Sequence, residues 1–275
     1  MSMPPASRSV MKGGEFLLEP CAPEGIFTPA QLSDDQKLIG KTAEEFVEKE
    51  VLPLIAELER HKEGLMPQLL KKAGELGLLG GGVPEEYGGG GLDKVSLTLL
   101  SEKLAAYASF AVSHGGHAGI GTLPIVYFGT PEQKRKYLPK LATGELIGCY
   151  CLSEPQAGSD ALAARTRAEL SPDGKYWLLN GQKMWITNGG FADLFTVFAK
   201  VDGEKFSCFL VERQRGAGVA RPATGVGPPD RSAGGSVFVA QADVGLSVRR
   251  GLSSWAQARL RGEWLTHPRV AEFRA

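Results

Sequence analysis

Tyr150 to Asp160 reads YCLSEPQAGSD, and Met184 to Gly190 reads MWITNGG. In the first stretch a short apolar strand runs into a turn of Glu154, Pro155, Gln156, Ala157 and Gly158, which then presents the Ser159 hydroxyl and the Asp160 carboxylate. Backbone N–H groups freed in a glycine-containing loop of this kind can face a phosphate. The second stretch places an indole, Trp185, two residues before a hydroxyl, Thr187, so plain strand alternation would turn both to one face. By itself each segment could be an ordinary turn and an ordinary core aromatic.

The sequence around them changes period near Gly144. Before it, apolar residues recur at three- and four-residue steps, as in Ile39, Ala43, Phe46, Val47, Val51, Ile55 and Leu58. Ser33 to Gln36 has the spacing of a capping box at the start of that helix, and Pro53 is expected to kink it. A second helix is expected from about Pro67 through Leu76, and a third through Val95, Leu99, Leu100, Leu104 and Ala108. Thr130-Pro131-Glu132-Gln133 marks another N-terminus, with the helix ending near Gly144. After Gly144, Ala164, Thr166, Ala168 and Leu170 alternate with polar residues, as a half-buried strand does. Turns are expected at Ser171 to Gly174 and at Asn180-Gly181, and further strands at Tyr176 to Leu179, Lys183 to Thr187, Leu194 to Lys200 and Phe206 to Val211. The fold class is therefore α+β: an N-terminal helical domain followed by an antiparallel β domain. The sheet is expected to stop at Glu212 with an uncovered edge.

The boundaries drawn are an extension at 1–31, a helical domain at 32–147, a partial β domain at 148–212 and an atypical tail at 213–275. Net charge is zero over 275 residues, yet −6 up to Glu212 and +6 from Arg213 onward, where Lys is absent and Arg, Gly, Ala and Pro abound. A basic tail could meet nucleic acid or a membrane. The preferred reading is a shifted reading frame in G+C-rich coding DNA, so no nucleic-acid partner is expected. No apolar run approaches bilayer length and no secretion signal opens the chain, which points to the cytoplasm. Cys21, Cys149, Cys151 and Cys208 have neither metal-ligand nor scaffold spacing, and Cys149 and Cys151 read as reduced core thiols on one strand face. The glycine-rich connector at 78–93 lacks a preceding strand and a P-loop lysine, and reads as a helix exit and a flexible loop. His114 and His117 lie in a Gly-rich turn unsuited to metal, either lining a substrate pocket or spaced by chance.

Taken with Lys12 to Leu17, Lys136 to Ala142, Asn180 to Lys183 and Phe209 to Arg213, the two segments resemble the acyl-CoA dehydrogenase family over residues 12–212, nearest its very-long-chain branch and bacterial relatives. The resemblance implies the same helical-then-β order, without the family's C-terminal helical bundle. It implies FAD as cofactor, held by Tyr150, Cys151, Leu152, Ser153, Gly158, Ser159, Trp185, Ile186 and Thr187. Ser153 would sit near the flavin edge, Gly158 would leave room for the diphosphate, Trp185 would pack on the ring and Thr187 would donate near its hydride-accepting nitrogen. Ser159 would also touch the acyl-CoA substrate.

The implied reaction is α,β-dehydrogenation of acyl-CoA thioesters in fatty-acid β-oxidation, leaning toward long chains, with an electron-transferring flavoprotein reoxidising the flavin. Intact family members are expected to be homo-oligomers. The base comes from the C-terminal domain in this family, so no catalytic residue is nominated; Glu263 and Glu272 match no family motif, and the chain as written is expected to be impaired. Two alternatives stay open: a non-catalytic flavin- or CoA-binding module, or a subunit paired with an intact one; and an acyl-CoA oxidase.

Overall fold

The computed structural model describes residues 25–172 and 177–213, positions 14, 17, 18 and 20, and the strand pieces 217–218 and 234–240. The helical half begins where the capping box predicts. The Ser33 hydroxyl accepts the Gln36 N–H at 3.2 Å and the Gln36 side-chain Oε1 accepts the Ser33 N–H at 3.0 Å, opening α1 at Asp34–Phe46. Because Pro53 has no N–H to donate, the helix does not run straight on. It loosens to a π turn at Val47–Val51, tightens to a 3-10 turn at Leu52–Leu54 and resumes as α2 at Ile55–Glu59.

The next helix, α3, spans Leu65–Glu75, and its Pro67 falls within the first turn, where a missing donor costs little. The expected third helix is two: α4 at Lys94–Leu104, capped by Asp93, and α5 at Ala108–His114. α6 covers Leu123–Phe128. α7 covers Pro131–Thr143, with Thr130 in a second capping box and Gly144 closing it at φ 73°.

Two glycine-rich segments differ from the sequence reading. The 78–93 connector is a closed, packed turn rather than a loose loop. Gly90 N–H donates to Gly80 O, Gly91 N–H to Val83 O and Leu92 N–H to Gly81 O, while Leu78, Leu79 and Val83 are buried. Glycine serves here by allowing close approach: a Cβ on Gly89 would lie 2.1 Å from the Val83 carbonyl oxygen. The HGGHAG segment is helical, not a turn, passing from α5 into a π segment at Gly115–Gly121.

The sheet is mixed, which corrects the all-antiparallel expectation. β1 (Gly148–Cys151) and β2 (Arg167–Leu170) lie along one edge of β4 (Leu194–Val201), both parallel to it. β5 (Lys205–Glu212) pairs antiparallel with β4 on the other side. β3 (Trp177–Thr187) pairs antiparallel with β2, and β7 (Gly234–Ala240) pairs antiparallel with β3 and with β6 (Ala217–Gly218). The sheet therefore continues beyond Glu212, and β7 covers the edge of β3 that the sequence reading left bare. Most of the tail assigned to a frame shift lies outside the described residues.

Asn180-Gly181 is likewise no hairpin turn. It lies inside β3, with Asn180 opposite Arg167 on one side and Ala240 on the other. A Cβ on Gly181 would sit 2.3 Å from the Thr166 hydroxyl, so the glycine is there to let a neighbouring chain approach.

Bundle and sheet share one core. Ala43, Phe46, Val47 and Val51 meet Leu69, Leu70, Leu100, Leu104 and Phe110 on the helical side, continuous with Cys149, Cys151, Leu179, Phe195 and Val197 of the sheet. Each such side chain, once fully buried, contributes about 1.5–3 kcal/mol from apolar burial. The cysteines thus act as small apolar residues, and burial pushes the Cys149 and Cys208 thiols above their ordinary pKa.

Candidate functional site

β1 delivers the first segment to the place where the bundle meets the sheet. His117 and Asn188 fix its start. The Gly148 N–H donates to His117 Nδ1 at 2.9 Å, so the imidazole proton is on Nε2 and is donated to the Leu141 carbonyl at 2.9 Å. Asn188, left-handed at φ 64°, donates its amide to Ser113 O at 2.8 Å. Burial holds the His117 pKa down to about 4, the Leu141 carbonyl opposing this and the nearby His114 adding to it. His114 is also buried, donates to Leu78 O at 2.9 Å and has a lowered pKa for the same leading reason. Both histidines are thus structural joints rather than residues of a pocket-lining turn. Among the described residues no group of three or more His, Cys, Asp or Glu side chains could hold a metal ion.

Beyond β1, the chain turns at Glu154–Ala157, whose N–H and C=O groups bond each other in both directions. The Glu154 carboxylate is almost fully buried and gathers five donors: the Arg165 N–H at 2.6 Å, the Thr166 N–H at 3.0 Å, the Thr166 hydroxyl at 2.5 Å, the Gln156 amide at 3.1 Å and the Lys183 ammonium at 2.7 Å. Lys183, wholly buried, also donates to the Leu152 carbonyl at 3.1 Å. Burial alone would raise the Glu154 pKa, but these donors leave it below the usual carboxylate value. Burial lowers the Lys183 pKa, with Glu154 opposing. Sequence reasoning missed this pair. Its signal was Lys183 standing in phase with the inward residues Trp177 and Leu179 of one strand.

That phase breaks at the second segment. The pairing of β3 with β7 shifts between Lys183 and Ile186, and Trp185 adopts a left-handed backbone at φ 60°. Regular alternation from the buried Lys183 would carry Trp185 inward; the bulge instead leaves its indole 73% exposed and turns Ile186 into the core. The Met184 N–H donates across to Ser153 O at 2.9 Å, which joins the two segments side by side. Thr187 is half-buried against the bundle, where a Cβ on Gly116 would come within 2.6 Å of its methyl group. A left-handed tryptophan costs of the order of 1 kcal/mol or more and is held only by its surroundings.

The expected residues therefore fall into three groups. Ser153 lies beside Met184, the residue before Trp185, through the Met184 N–H to Ser153 O bond, Thr187 lies against the bundle at Gly116, and Gly158 and Ser159 stand exposed on the adjoining loop, with open space where a Gly158 side chain would be. Tyr150 and Leu152 pack with Phe198 and Phe206, the Tyr150 and Phe198 rings 4.9 Å apart. Cys151 and Ile186 point into the core, so only their main chain can meet a ligand. A separate groove on the bundle's outer face, lined by Leu38, Lys41, Glu45, Lys49 and Leu76 among others, is remote in the fold from these segments.

Comparison with known proteins agrees with this arrangement. The family model "Acyl-CoA dehydrogenase, N-terminal domain" matches residues 33–145, and "Acyl-CoA dehydrogenase, middle domain" matches residues 149–240. The chain belongs to the acyl-CoA dehydrogenase family. It is 52% identical over 225 residues to a probable acyl-CoA dehydrogenase of Bacillus subtilis, a match covering 82% of this chain and 37% of that protein. It is 43% identical over 221 residues to the very long-chain specific acyl-CoA dehydrogenase, mitochondrial, of Bos taurus, covering 75% of this chain and 32% of the relative.

A crystal structure of an acyl-CoA dehydrogenase complexed with FAD from Bacillus anthracis superposes with a TM-score of 0.79 at 47% identity, over 89% of this chain and 44% of that one. The chain thus spans less than half the length of these relatives. The middle-domain match runs past Glu212 to the end of β7.

Proposed function

We propose that this chain supplies the flavin cradle and the thioester-facing loop of an FAD-dependent acyl-CoA dehydrogenase acting in β-oxidation, with long-chain acyl-CoA as substrate class. The observation that carries this reading is Trp185, an exposed indole held on a strained bulge beside the Ser153 carbonyl. A planar apolar face kept out of the core at energetic cost suits stacking on a flat ring. The open space at Gly158 and the exposed Ser159 hydroxyl next to it suit a diphosphate and a polar substrate group, so the residues present fit FAD.

FAD would be held by Ser153, Gly158, Ser159, Trp185 and Thr187, with Tyr150, Cys151, Leu152 and Ile186 contributing main chain or packing. When bound, it supplies the acceptor for a hydride from the β carbon. Thr187 would donate to the polar edge of the bound ring, where charge would develop. Trp185 excludes water from one face, and Ser159 orients the substrate. Glu154 cannot serve as the base, because its lone pairs are committed to Lys183, Thr166, Gln156 and the Arg165 amide. We assign no catalytic base within the described residues, and this chain alone is expected to turn over negligibly. An electron-transferring flavoprotein is the proposed reoxidant, the cytoplasm the proposed location and a homo-oligomer the proposed state of the intact enzyme. Among the described residues no helix is long and apolar enough to cross a membrane.

The same engagement of Glu154 favours one second reading, a module that binds flavin or CoA without turnover. Titration with FAD followed by visible circular dichroism, then anaerobic addition of palmitoyl-CoA, tests both. Induced dichroism without loss of flavin absorbance is the expected result. Bleaching would overturn the assignment of no base, and no induced signal at any FAD concentration would overturn the cradle itself.

A further inference from the structure

We propose that Glu154 and Lys183 are positioning residues for the flavin cradle: a buried ion pair that sets the distance between the Ser153–Ser159 loop and the Trp185 indole. This rests on the flavin reading above and adds the device that holds its two halves in register. A buried pair of opposite charges is a poor way to gain stability, since well-packed apolar residues of the same volume do as well or better. What it supplies here is geometry.

The donors to the Glu154 carboxylate come from three separate stretches: the turn itself through Gln156, the return of the loop through Arg165 and Thr166, and β3 through Lys183. Lys183 reaches back to the Leu152 carbonyl, one residue before Ser153. The Met184 N–H, next along β3, closes on the Ser153 carbonyl, and Trp185 follows at the bulge. Leu152 at the entry to the loop and the Arg165–Thr166 segment that follows it are therefore tied to a single carboxylate–ammonium contact, beside which Met184 joins the start of the bulge to Ser153. Five donors converging on one carboxylate leave it few alternative positions, and directed bonds of this kind fix orientation where apolar packing would tolerate sliding. The pair does not line the groove on the bundle, and its side chains are 0% and 1% exposed, so it acts through the residues it holds.

The test uses the full chain and the double variant Glu154→Gln/Lys183→Met, which removes both charges and leaves neither charge buried without its counter-ion. Two quantities are read: the dissociation constant and induced visible dichroism of FAD, and acrylamide quenching of Trp185 in the flavin-free chain, isolated by difference from Trp185→Phe. The expected result is a dissociation constant raised tenfold or more, altered dichroism, and changed Trp185 quenching, with the thermal midpoint near that of the parent. FAD binding within twofold of the parent, with unchanged quenching, would overturn the proposal. A double variant that fails to fold would also overturn it, by showing the pair to be a stability element. If the parent chain binds no FAD, the flavin reading falls, while the quenching difference still decides whether the pair positions Trp185.

Discussion

Acidification from about pH 7 to about pH 5 should loosen the joint between bundle and sheet through one imidazole. His117 is 0% exposed and uses both ring nitrogens, accepting the Gly148 N–H at Nδ1 and donating from Nε2 to Leu141 O. A second proton would have to land on Nδ1, against the N–H already there, in surroundings that solvate it poorly. The folded pKa lies at about 4, against an unfolded value near 6.5. In that window the unfolded chain binds the proton and the folded chain does not, so stability is full above about pH 6.5 and declines as pH falls, levelling off below about pH 4. The difference corresponds to about 3 kcal/mol in total, of which about 2 kcal/mol is lost between pH 7 and pH 5. His114, whose pKa burial also lowers, pulls in the same direction.

The control is His117→Gln, whose amide can donate and accept but does not titrate. Urea unfolding of both proteins across this range should show stability falling more steeply in the parent, by about 2 kcal/mol at the acid end. Carboxylates with lowered pKa, such as Asp93 and Glu132, lose their contribution only as pH falls below their unfolded values near 4, outside the window. Parallel pH profiles for parent and variant down to about pH 5 would refute the assignment.

Two substitutions test the local geometry of β3. Trp185→Gly should raise the stability of the flavin-free chain by about 1 kcal/mol, since it relieves a left-handed backbone and sacrifices little buried area, while weakening FAD binding; a thermal melt and a flavin titration measure the two effects. Gly181→Ala places a methyl group 2.3 Å from the Thr166 hydroxyl and 2.7 Å from its Cα, and should cost about 1–3 kcal/mol in urea unfolding as β3 and the segment leading into β2 are forced apart.

The parts of the fold legible in the sequence are those set by neighbours along the chain. Ser33 with Gln36, and Thr130 with Gln133, cap helices through bonds spanning three residues, and each helix starts where the spacing places it. Pro53 interrupts its helix for a reason carried by one residue. The misread elements depend on residues far away in sequence. Asn180-Gly181 has the composition of a turn, but β2 and β7 flank it and the ladder bonds of an 11-residue strand outweigh the local preference. The connector at 78–93 looks loose by its glycine content, yet the same glycines allow it to fold tightly onto Val83 and Ala142. The parallel pairing of β1 and β2 with β4 has no signature in any of the three strands alone.

At the site the same division separates what was visible from what was not, and it bears on how the proposed cradle would be built. The resemblance singled out both segments from residue types in order. It could not show that Trp185 stays exposed only because a bulge intervenes, nor that Lys183 lies inside. Two facts about β3 depend on each other. With Lys183 inward, strict alternation would bury Trp185; with Trp185 outward, strict alternation would expose an ammonium that Glu154 requires. The shift between Lys183 and Ile186 satisfies both, at the cost of one left-handed residue and one ladder bond redirected from β7 to Ser153. Strain at Trp185 and burial of charge at Lys183 would each be disfavoured alone. Two residues apart on one strand, they are reconciled by the single register shift between Lys183 and Ile186.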